Sequence, residues 1–169
     1  MIRWIAMSTD EPPRWPRGLD DLRAGLDDLF RSNPYLAQVG AELTDWGPGW
    51  AQVKALPSPQ ALNIAGTVHG GLIASLADLA FEVACNSYGR KCVAVQFDAH
   101  FASAARAGIP LLAVCREASR ATRIASYRIE VREESTDSPP TALCTAIAYR
   151  TNGWHLGEDR YPSDWKQRH

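Results

Sequence analysis

The stretch that decides the fold runs from Asn63 to Gly89 and reads NIAGTVHGGLIASLADLAFEVACNSYG. It begins as a loop that carries glycine, and from Leu72 to Ser87 it contains neither proline nor glycine. A run of that length exceeds an ordinary strand and predicts a helix of about four turns. Its side chains are apolar in almost every direction, which is typical of a helix buried inside a domain.

A narrow polar stripe remains on this helix. Ser75, Asp78, Glu82 and Asn86 recur at spacings of three and four residues, so they share one face. We expect Asp78 to be buried together with the helix. A carboxylate that is buried alone is costly, so it must be paired, protonated or used in chemistry. The stripe is therefore the first candidate for a functional site.

The segments around this helix predict a sheet. Two alternating stretches flank the turn at Gly47-Pro48-Gly49 and predict a hairpin. Four more alternating segments, joined by short connections, predict antiparallel strands after the helix, at 93–101, 109–117, 127–132 and 143–149. An antiparallel sheet of about six strands needs a cover for its apolar face, and only the 72–87 helix is apolar enough. The sequence therefore predicts an α+β fold in which a curved sheet wraps round one long central helix.

The chain divides into three predicted parts. Residues 1–17, rich in proline, arginine and tryptophan, predict an irregular N-terminal arm. Residues 18–152 form the predicted domain, which opens with an amphipathic helix that Pro34 closes. Residues 153–169 lose the pattern and predict a C-terminal tail whose aromatic residues pack on the surface or on another subunit.

Composition excludes several classes of protein. A chain of 169 residues suits one domain with a real core. With 18 basic and 19 acidic side chains, the near-balanced charge argues against a nucleic-acid partner. No stretch approaches the roughly 20 apolar residues that span a bilayer, and the first residues lack the pattern of a secretory signal. The four cysteines form no C-x-x-C pair and the four histidines are scattered, so we expect reduced thiols, no metal site and a cytoplasmic protein.

Asn63, then His69-Gly70-Gly71, then Asp78 in the string SLADLAFEVACNSYG resemble the motif residues of the hotdog-fold thioesterases. The branch that they resemble most is the phenylacetic-acid-degradation (PaaI-like) family, over about residues 35–150. The resemblance implies hydrolysis of an aryl-acetyl or medium-chain acyl-coenzyme A thioester. It implies no cofactor beyond the coenzyme A of the substrate. It also implies a homodimer or homotetramer, with the base and the oxyanion donors of one site on opposite subunits.

The residues themselves favour the same chemistry. Gly70 and Gly71 open the helix, where unpaired N–H groups and the positive end of the helix dipole can stabilise an oxyanion. Asp78 can act as a general base on water or as a nucleophile. Asn63 can orient the water or the carbonyl, and His69 can donate to the carbonyl or only hold the loop. The structural alternatives are a tight turn at the glycines, a satisfied buried acid at Asp78 and a turn residue at Asn63.

Further residues are candidates for contact with the substrate. Glu82 faces a partner or the end of the pocket, or else serves as a second acid. Related enzymes often place a serine or threonine on the first strand after the helix; here Gln96 takes over that contact or has no role. Arginines at two turns are candidates for the coenzyme A phosphates or are ordinary solvated side chains, namely Arg106, Arg120 and Arg123.

Two other functions compete with hydrolysis. A non-catalytic acyl-coenzyme A binder or sensor would keep the pocket and lack a working base, whereas this chain has Asp78 and both glycines. A hotdog dehydratase or hydratase relies on a catalytic histidine in a different loop, and His69 followed directly by two glycines does not suit it. The sequence therefore favours an acyl-coenzyme A thioesterase.

Overall fold

The computed structural model describes residues 13–134 and 139–169. The helices in these ranges are α1 (Asp20–Arg31), α2 (Pro34–Gln38), α3 (Gly70–Asn86) and α4 (Ser163–Arg168). The strands are β1 (Ala41–Gly47), β2 (Trp50–Ala55), β3 (Arg90–Phe101), β4 (Leu111–Arg120), β5 (Ile124–Glu133) and β6 (Ala142–Trp154). They form one antiparallel sheet in the order β1-β2-β4-β5-β6-β3. The predicted α+β fold, a sheet wrapped round a central helix, is confirmed.

Helix α3 is the centre of the core. It packs against β2, β3, β4 and β5. Leu76, Ala77 and Ala80 are fully buried, and the ring of Phe81 meets the ring of Tyr127 edge-on at 5.3 Å. The alanines bring the helix backbone close to the sheet, while the larger side chains fill the space on either side. The apolar sequence of the helix is thus explained by burial on nearly every side.

Strand β3 lies at an edge of the sheet and pairs only with β6. The sequence predicts a half-buried strand here, and that prediction is wrong for the single chain. Although α3 contacts this strand, no described element buries three of its side chains: Val93 is 54% exposed, Val95 58% and Phe101 52%. A register shift between Ala94 and Gln96 in the pairing with β6 leaves Val95 as the extra residue of a bulge. The apolar residues of β3 are therefore open to a partner.

The connection between α1 and α2 also differs from the prediction. Pro34 does not close α1, which already ends at Arg31. It opens α2 instead, where its fixed φ and missing N–H suit the first helical position. The side chain of Asn33 caps this short helix by accepting the N–H of Tyr35 at 3.0 Å. The cap places Asn33 and Tyr35 beside α3.

The C-terminal residues pack on their own chain. Tyr161 and Trp165 are buried together with Leu22 and Tyr88. The indole Nε1 of Trp165 donates to the carbonyl oxygen of Tyr88 at 3.0 Å, and its ring stacks on that of Trp15 at 4.9 Å. Strand β6 runs to residue 154, past the predicted boundary at 152. Residues 1–12 of the predicted arm and most of the predicted turn at 136–140 lie outside the described residues.

The substitution Trp165→Ala tests this packing. Removing a buried aromatic ring and its hydrogen bond is expected to lower the free energy of unfolding by about 3–5 kcal/mol. Urea unfolding followed by circular dichroism measures the loss. Lys166→Ala is the matched control, because its ion pair with Glu158 lies at the surface and contributes under about 1 kcal/mol. Equal stability of the two variants would show that the tail does not pack as described.

Candidate active site

Asp78 lies on an open stripe of α3, between Ser75 and Glu82. The sequence predicts a buried carboxylate, and that prediction is wrong for the single chain: Asp78 and Glu82 are both exposed. Asp78 makes no hydrogen bond within residues 13–134 and 139–169. Partial desolvation still raises its pKa above the ordinary value. Desolvation also raises the pKa of Glu82, and the charge of Asp78 raises it further.

The α2 region holds the polar residues on both sides of Asp78. The hydroxyl of Tyr35 lies 2.9 Å from that of Ser75. The amide of Asn33 donates to Oε2 of Glu82 at 2.8 Å. Asp78 is left free between these two pairs. Neither Asn33 nor Tyr35 was predicted to contact α3. Asn33 before Pro34 is a recognisable N-cap signal, whereas nothing in the sequence links Tyr35 to Ser75.

The amide of Asn63 is used inside its own loop. Its Oδ1 accepts the N–H of Ala65 at 2.9 Å and that of Thr67 at 3.2 Å, and its Nδ2 donates to Oγ1 of Thr67 at 2.9 Å. The loop is then tied down by Val68, whose N–H donates to the carbonyl of Ala105 at 2.9 Å. The geometry matches the turn alternative, in which Asn63 shapes the loop that presents the start of α3.

The two glycines at the start of α3 are not equivalent. The N–H of Gly71 donates to Nδ1 of His69 at 2.8 Å, so this amide is already used by the helix cap. The N–H of Gly70 has no acceptor in the described part of the chain, so of the two amides only that of Gly70 is free to donate to a ligand. Because Nδ1 of His69 accepts, a neutral imidazole carries its proton on Nε2. The exposed ring of His69 therefore offers a second donor beside Gly70.

The packing of Phe101 against the start of α3 favours glycine at position 70. A Cβ built there would lie 3.2 Å from Cζ of Phe101, the last residue of β3. That distance is tighter than ordinary van der Waals contact, so any larger residue must displace the ring. Hydrogen in place of a side chain keeps the amide accessible while the ring packs over the backbone.

One chain does not complete a site. Gly70 and Asp78 are eight residues apart on one helix, which corresponds to about 12 Å along its axis. A carbonyl group that accepts the N–H of Gly70 lies about 3 Å from that nitrogen. The carboxylate of the same chain is therefore out of reach.

The predicted substrate-binding arginines lie at opposite ends of the sheet. Arg106 precedes β4, near Ala105 and the start of α3, and pairs with the buried Glu133 at 2.8 Å. Arg120 ends β4, about 30 Å further along for a strand of 10 residues. Arg120 pairs with Glu117 at 3.4 Å and lies over the ring of Tyr88. The three arginines thus cannot bind one phosphate group together.

The last two candidates also have partners in the chain. Arg123 donates to the amide oxygen of Asn152 at 2.6 Å, at the same end of the sheet as Arg120. Gln96 is exposed on β3 and donates to the carboxylate of its neighbour Asp98. Neither side chain lies beside the start of α3, and their roles in binding stay predictions.

The described ranges contain neither a cluster of metal ligands nor a membrane-spanning helix. No three His, Cys, Asp or Glu side chains come together there as a group that could hold a metal ion. No described helix is both long enough and apolar enough to cross a bilayer.

Comparison with known proteins agrees with the fold and indicates the family. The family model described as the thioesterase superfamily matches residues 65–139. A putative esterase of Archaeoglobus fulgidus is 31% identical over 126 residues, which cover 75% of this chain and 80% of that protein. The acyl-coenzyme A thioesterase PaaI of Escherichia coli is 28% identical over 130 residues, or 77% of this chain and 91% of that protein.

Solved structures of PaaI proteins have the same fold. The E. coli PaaI protein superimposes with a TM-score of 0.73 at 26% identity, over 80% of this chain and 99% of that one. A mutant of the phenylacetic acid degradation protein PaaI of Thermus thermophilus superimposes with a TM-score of 0.66 at 31% identity, over 70% of this chain and 100% of that one.

The chain belongs to the thioesterase superfamily, and within it to the PaaI-like thioesterases of the hotdog fold. It is an enzyme that hydrolyses thioesters.

The substitution Asp78→Asn tests whether the carboxylate costs stability. At pH 7 the variant is expected to be as stable as the wild type or more stable, because it removes a partly desolvated charge without a partner. The folded protein raises the pKa of Asp78 above 3.8, so it binds the proton more tightly than the unfolded chain. The resulting stability is fully present below pH 3.8 and is lost as the pH rises through the raised pKa.

Urea unfolding of both proteins at acid and neutral pH measures the difference. The advantage of the variant is expected to be present at pH 7 and to disappear under acid conditions. A variant clearly less stable than the wild type at pH 7 would mean that the carboxylate has a structural partner.

Proposed function

We propose that the protein hydrolyses acyl-coenzyme A thioesters carrying an aryl-acetyl or medium-chain acyl group, at a site formed between two copies of the chain. One observation carries the proposal: an exposed carboxylate with a raised pKa and an unused glycine amide share one helix, yet lie too far apart to act together in one chain. The similarity to an acyl-coenzyme A thioesterase named PaaI supports the class of substrate.

The reaction follows from the positions of the donors and the carboxylate. The N–H of Gly70, at the positive end of the α3 dipole, donates a hydrogen bond to the developing oxyanion of the thioester. Asp78 of the second copy removes a proton from water as it attacks the carbonyl carbon, or attacks that carbon directly. The carbon–sulfur bond breaks, and the thiolate of coenzyme A leaves and takes up a proton. The products are the free acid and coenzyme A.

Strand β3 supports an assembly of this kind. It offers an edge of 12 residues with an unpaired side, and natural proteins rarely leave a long apolar edge open. Val93, Val95 and Phe101 are each more than half exposed on it. A second β3 placed alongside would cover these residues and bring the open stripes of the two α3 helices towards each other. Gly70 of each helix would then work with Asp78 of the other.

The phosphates of coenzyme A, which the pantetheine arm separates from the thioester carbonyl, need an exposed cation on the same face of the protein as the site. Arg106 is the candidate on the side of the sheet that holds the loop before α3, and its side chain is 64% exposed even while it pairs with Glu133. Arg120 and Arg123 lie at the far end of the same chain, and Gln96 lies midway along the edge strand. We assign the phosphate contact to Arg106.

Asp78→Asn tests the chemistry. The amide can neither remove a proton from water nor attack the thioester, so kcat is expected to fall by about 10²–10⁴. Release of free thiol from phenylacetyl-, hexanoyl- and octanoyl-coenzyme A measures the rate. A single turnover of the wild-type enzyme in water labelled with heavy oxygen separates the two roles of Asp78. The label enters the side chain of Asp78 only if Asp78 is the nucleophile; otherwise it enters only the acid that is released.

Asp28→Asn is the matched control for this experiment. Asp28 is an exposed acid on α1 that does not belong to the site, and the control is expected to keep the wild-type rate. Full activity of Asp78→Asn, with the protein folded, would overturn the proposed mechanism.

Val95→Asp tests the assembly. A charge in the middle of β3 opposes the pairing of two edges, so the variant is expected to sediment as a monomer and to lose most of its activity. Analytical ultracentrifugation together with the thiol assay measures both properties on one sample.

Leu56→Asp is the control for the assembly. Leu56 is 61% exposed and follows β2, which β4, β5 and β6 separate from β3. It is expected to leave both mass and activity unchanged. A fully active Val95→Asp monomer would show that one chain is sufficient.

A further inference from the structure

Two of the four free cysteines meet where the end of α3 is followed by the start of β3. Cys85 lies in the last turn of the helix, and Cys92 is the third residue of the strand. Residues 87–89 turn the chain between them, and the two thiols are hydrogen-bonded to each other. Seven positions separate the two cysteines, so their contact leaves no C-x-x-C pattern in the sequence.

The side chain of Asn86 holds both cysteines in place. Its Nδ2 donates to Sγ of Cys85 at 3.3 Å, and its Oδ1 accepts the N–H of Cys92 at 2.9 Å. The same Oδ1 lies 2.9 Å from Nε2 of His155. Because Asn86 is buried and bonded on both sides, it fixes the end of the helix relative to the start of the strand. The two sulfurs are thus held in contact by the fold.

The two thiols differ in exposure and in how readily they ionise. Cys85 is buried, whereas Cys92 is partly exposed. The hydrogen bond from Cys85 is the main cause that lowers the pKa of Cys92, and burial opposes it. The same hydrogen bond, followed by burial, raises the pKa of Cys85. Cys92 is therefore the thiol that ionises, and Cys85 keeps its hydrogen.

Two arginines add positive charge beside Cys92. Arg150 lies directly opposite Cys92 in the pairing of β3 with β6, and Arg90 precedes Cys92 by two residues. Both charges lower the pKa of Cys92 further, although the charge of Glu117 raises it. Arg150 is buried, and its guanidinium donates to the neutral carbonyl of Thr122 at 3.2 Å. A partly exposed thiolate next to cations and to a second thiol is typical of cysteines that react with oxidants.

The other two cysteines do not form a second pair of this kind. Cys115 on β4 and Cys144 on β6 are both buried, and both lie opposite Ile129 of the intervening β5. Two strand spacings separate their Cα atoms by about 9–10 Å, whereas a disulfide spans less than about 7 Å. Burial is the main cause that raises the pKa of each thiol.

We propose that Cys85 and Cys92 form a reversible dithiol–disulfide site, which hydrogen peroxide oxidises and a small dithiol reduces. The inference concerns other residues than the hydrolysis of thioesters and does not rest on it. The new bond closes a ring from residue 85 to residue 92 and ties the end of α3 to the edge strand β3.

The chemistry takes two steps. The thiolate of Cys92 attacks one oxygen of the peroxide, the O–O bond breaks, and the departing hydroxide takes up a proton to become water. The sulfur of Cys85 then attacks the sulfenic acid of Cys92, the S–O bond breaks, and a second water leaves with the hydrogen of Cys85. The two sulfurs together lose the two electrons that the peroxide gains. A dithiol such as dithiothreitol restores both thiols by exchange through a mixed disulfide.

Peptide mapping of the oxidised protein tests the site. The protein is treated with hydrogen peroxide, alkylated under denaturing conditions and digested with trypsin, which cleaves after Arg90 and Lys91 between the two cysteines. Mass spectrometry is expected to find the peptides of Cys85 and Cys92 joined, and dithiothreitol is expected to separate them. Cys115 and Cys144 are expected to be recovered in alkylated form.

Two serine variants test the order of the steps. In Cys85→Ser the hydroxyl can still donate to the thiolate, but no second sulfur is left to displace the sulfenic acid. Dimedone is therefore expected to label Cys92 after peroxide treatment at about ten times the wild-type level. In Cys92→Ser the remaining Cys85 is expected to stay unlabelled. Cys144→Ser is the matched control and is expected to form the disulfide as the wild type does.

Thermal unfolding verifies that all variants are folded, and a non-reducing gel shows whether any bond joins two chains. Each of three results would overturn the inference. The first is the absence of joined peptides in the oxidised wild type. The second is a bond from Cys92 to Cys115 or to another chain. The third is dimedone labelling of Cys85 in Cys92→Ser as strong as that of Cys92 in Cys85→Ser.

Discussion

The constraint on which this structure depends is that one helix must cover the apolar face of the whole sheet. Helix α3 contacts all six strands, so nearly all of its surface has to be apolar. Polar residues can then occupy only the single line that no strand covers, and Ser75, Asp78 and Glu82 do occupy it. The position of Asp78 is thus determined by which faces of the helix have to be buried. Its raised pKa follows from the same low-polarity surroundings.

Most hydrogen-bonding groups of the loop before α3 hold its backbone in place, and one amide is left free. Asn63 uses both ends of its amide to hold the loop, and His69 uses Nδ1 to cap the helix through Gly71. These bonds fix the backbone without consuming the N–H of Gly70. A donor that is already held in position needs little reorganisation energy when charge develops near it. The glycine that is left over is therefore the one best suited to the oxyanion.

Much of the fold could be predicted from periodicity, because long elements repeat their pattern many times. Helix α3 was predicted within two residues of its observed bounds, and all four strands after it were predicted, although β6 extends five residues past the predicted end at 149. Helices α2 and α4, with 5 and 6 residues, are too short for a pattern to form, and the prediction missed them. The residues of the candidate site were predicted from the motif, but their geometry could not be predicted from it. Composition could not show that Asp78 faces outwards, nor which glycine amide His69 would use, since both depend on contacts between distant segments.

The ring of Phe101 on Gly70 has a consequence for protein engineering. Phe101 ends the edge strand, whereas Gly70 begins the central helix, and a Cβ at position 70 would lie only 3.2 Å from the ring. A redesign of the edge that shifts its last residue also changes the shielding of the glycine amide from water. Conversely, a residue larger than glycine at the helix start pushes on the strand. The two segments form one design unit, and libraries that vary one of them should vary the other in the same variants.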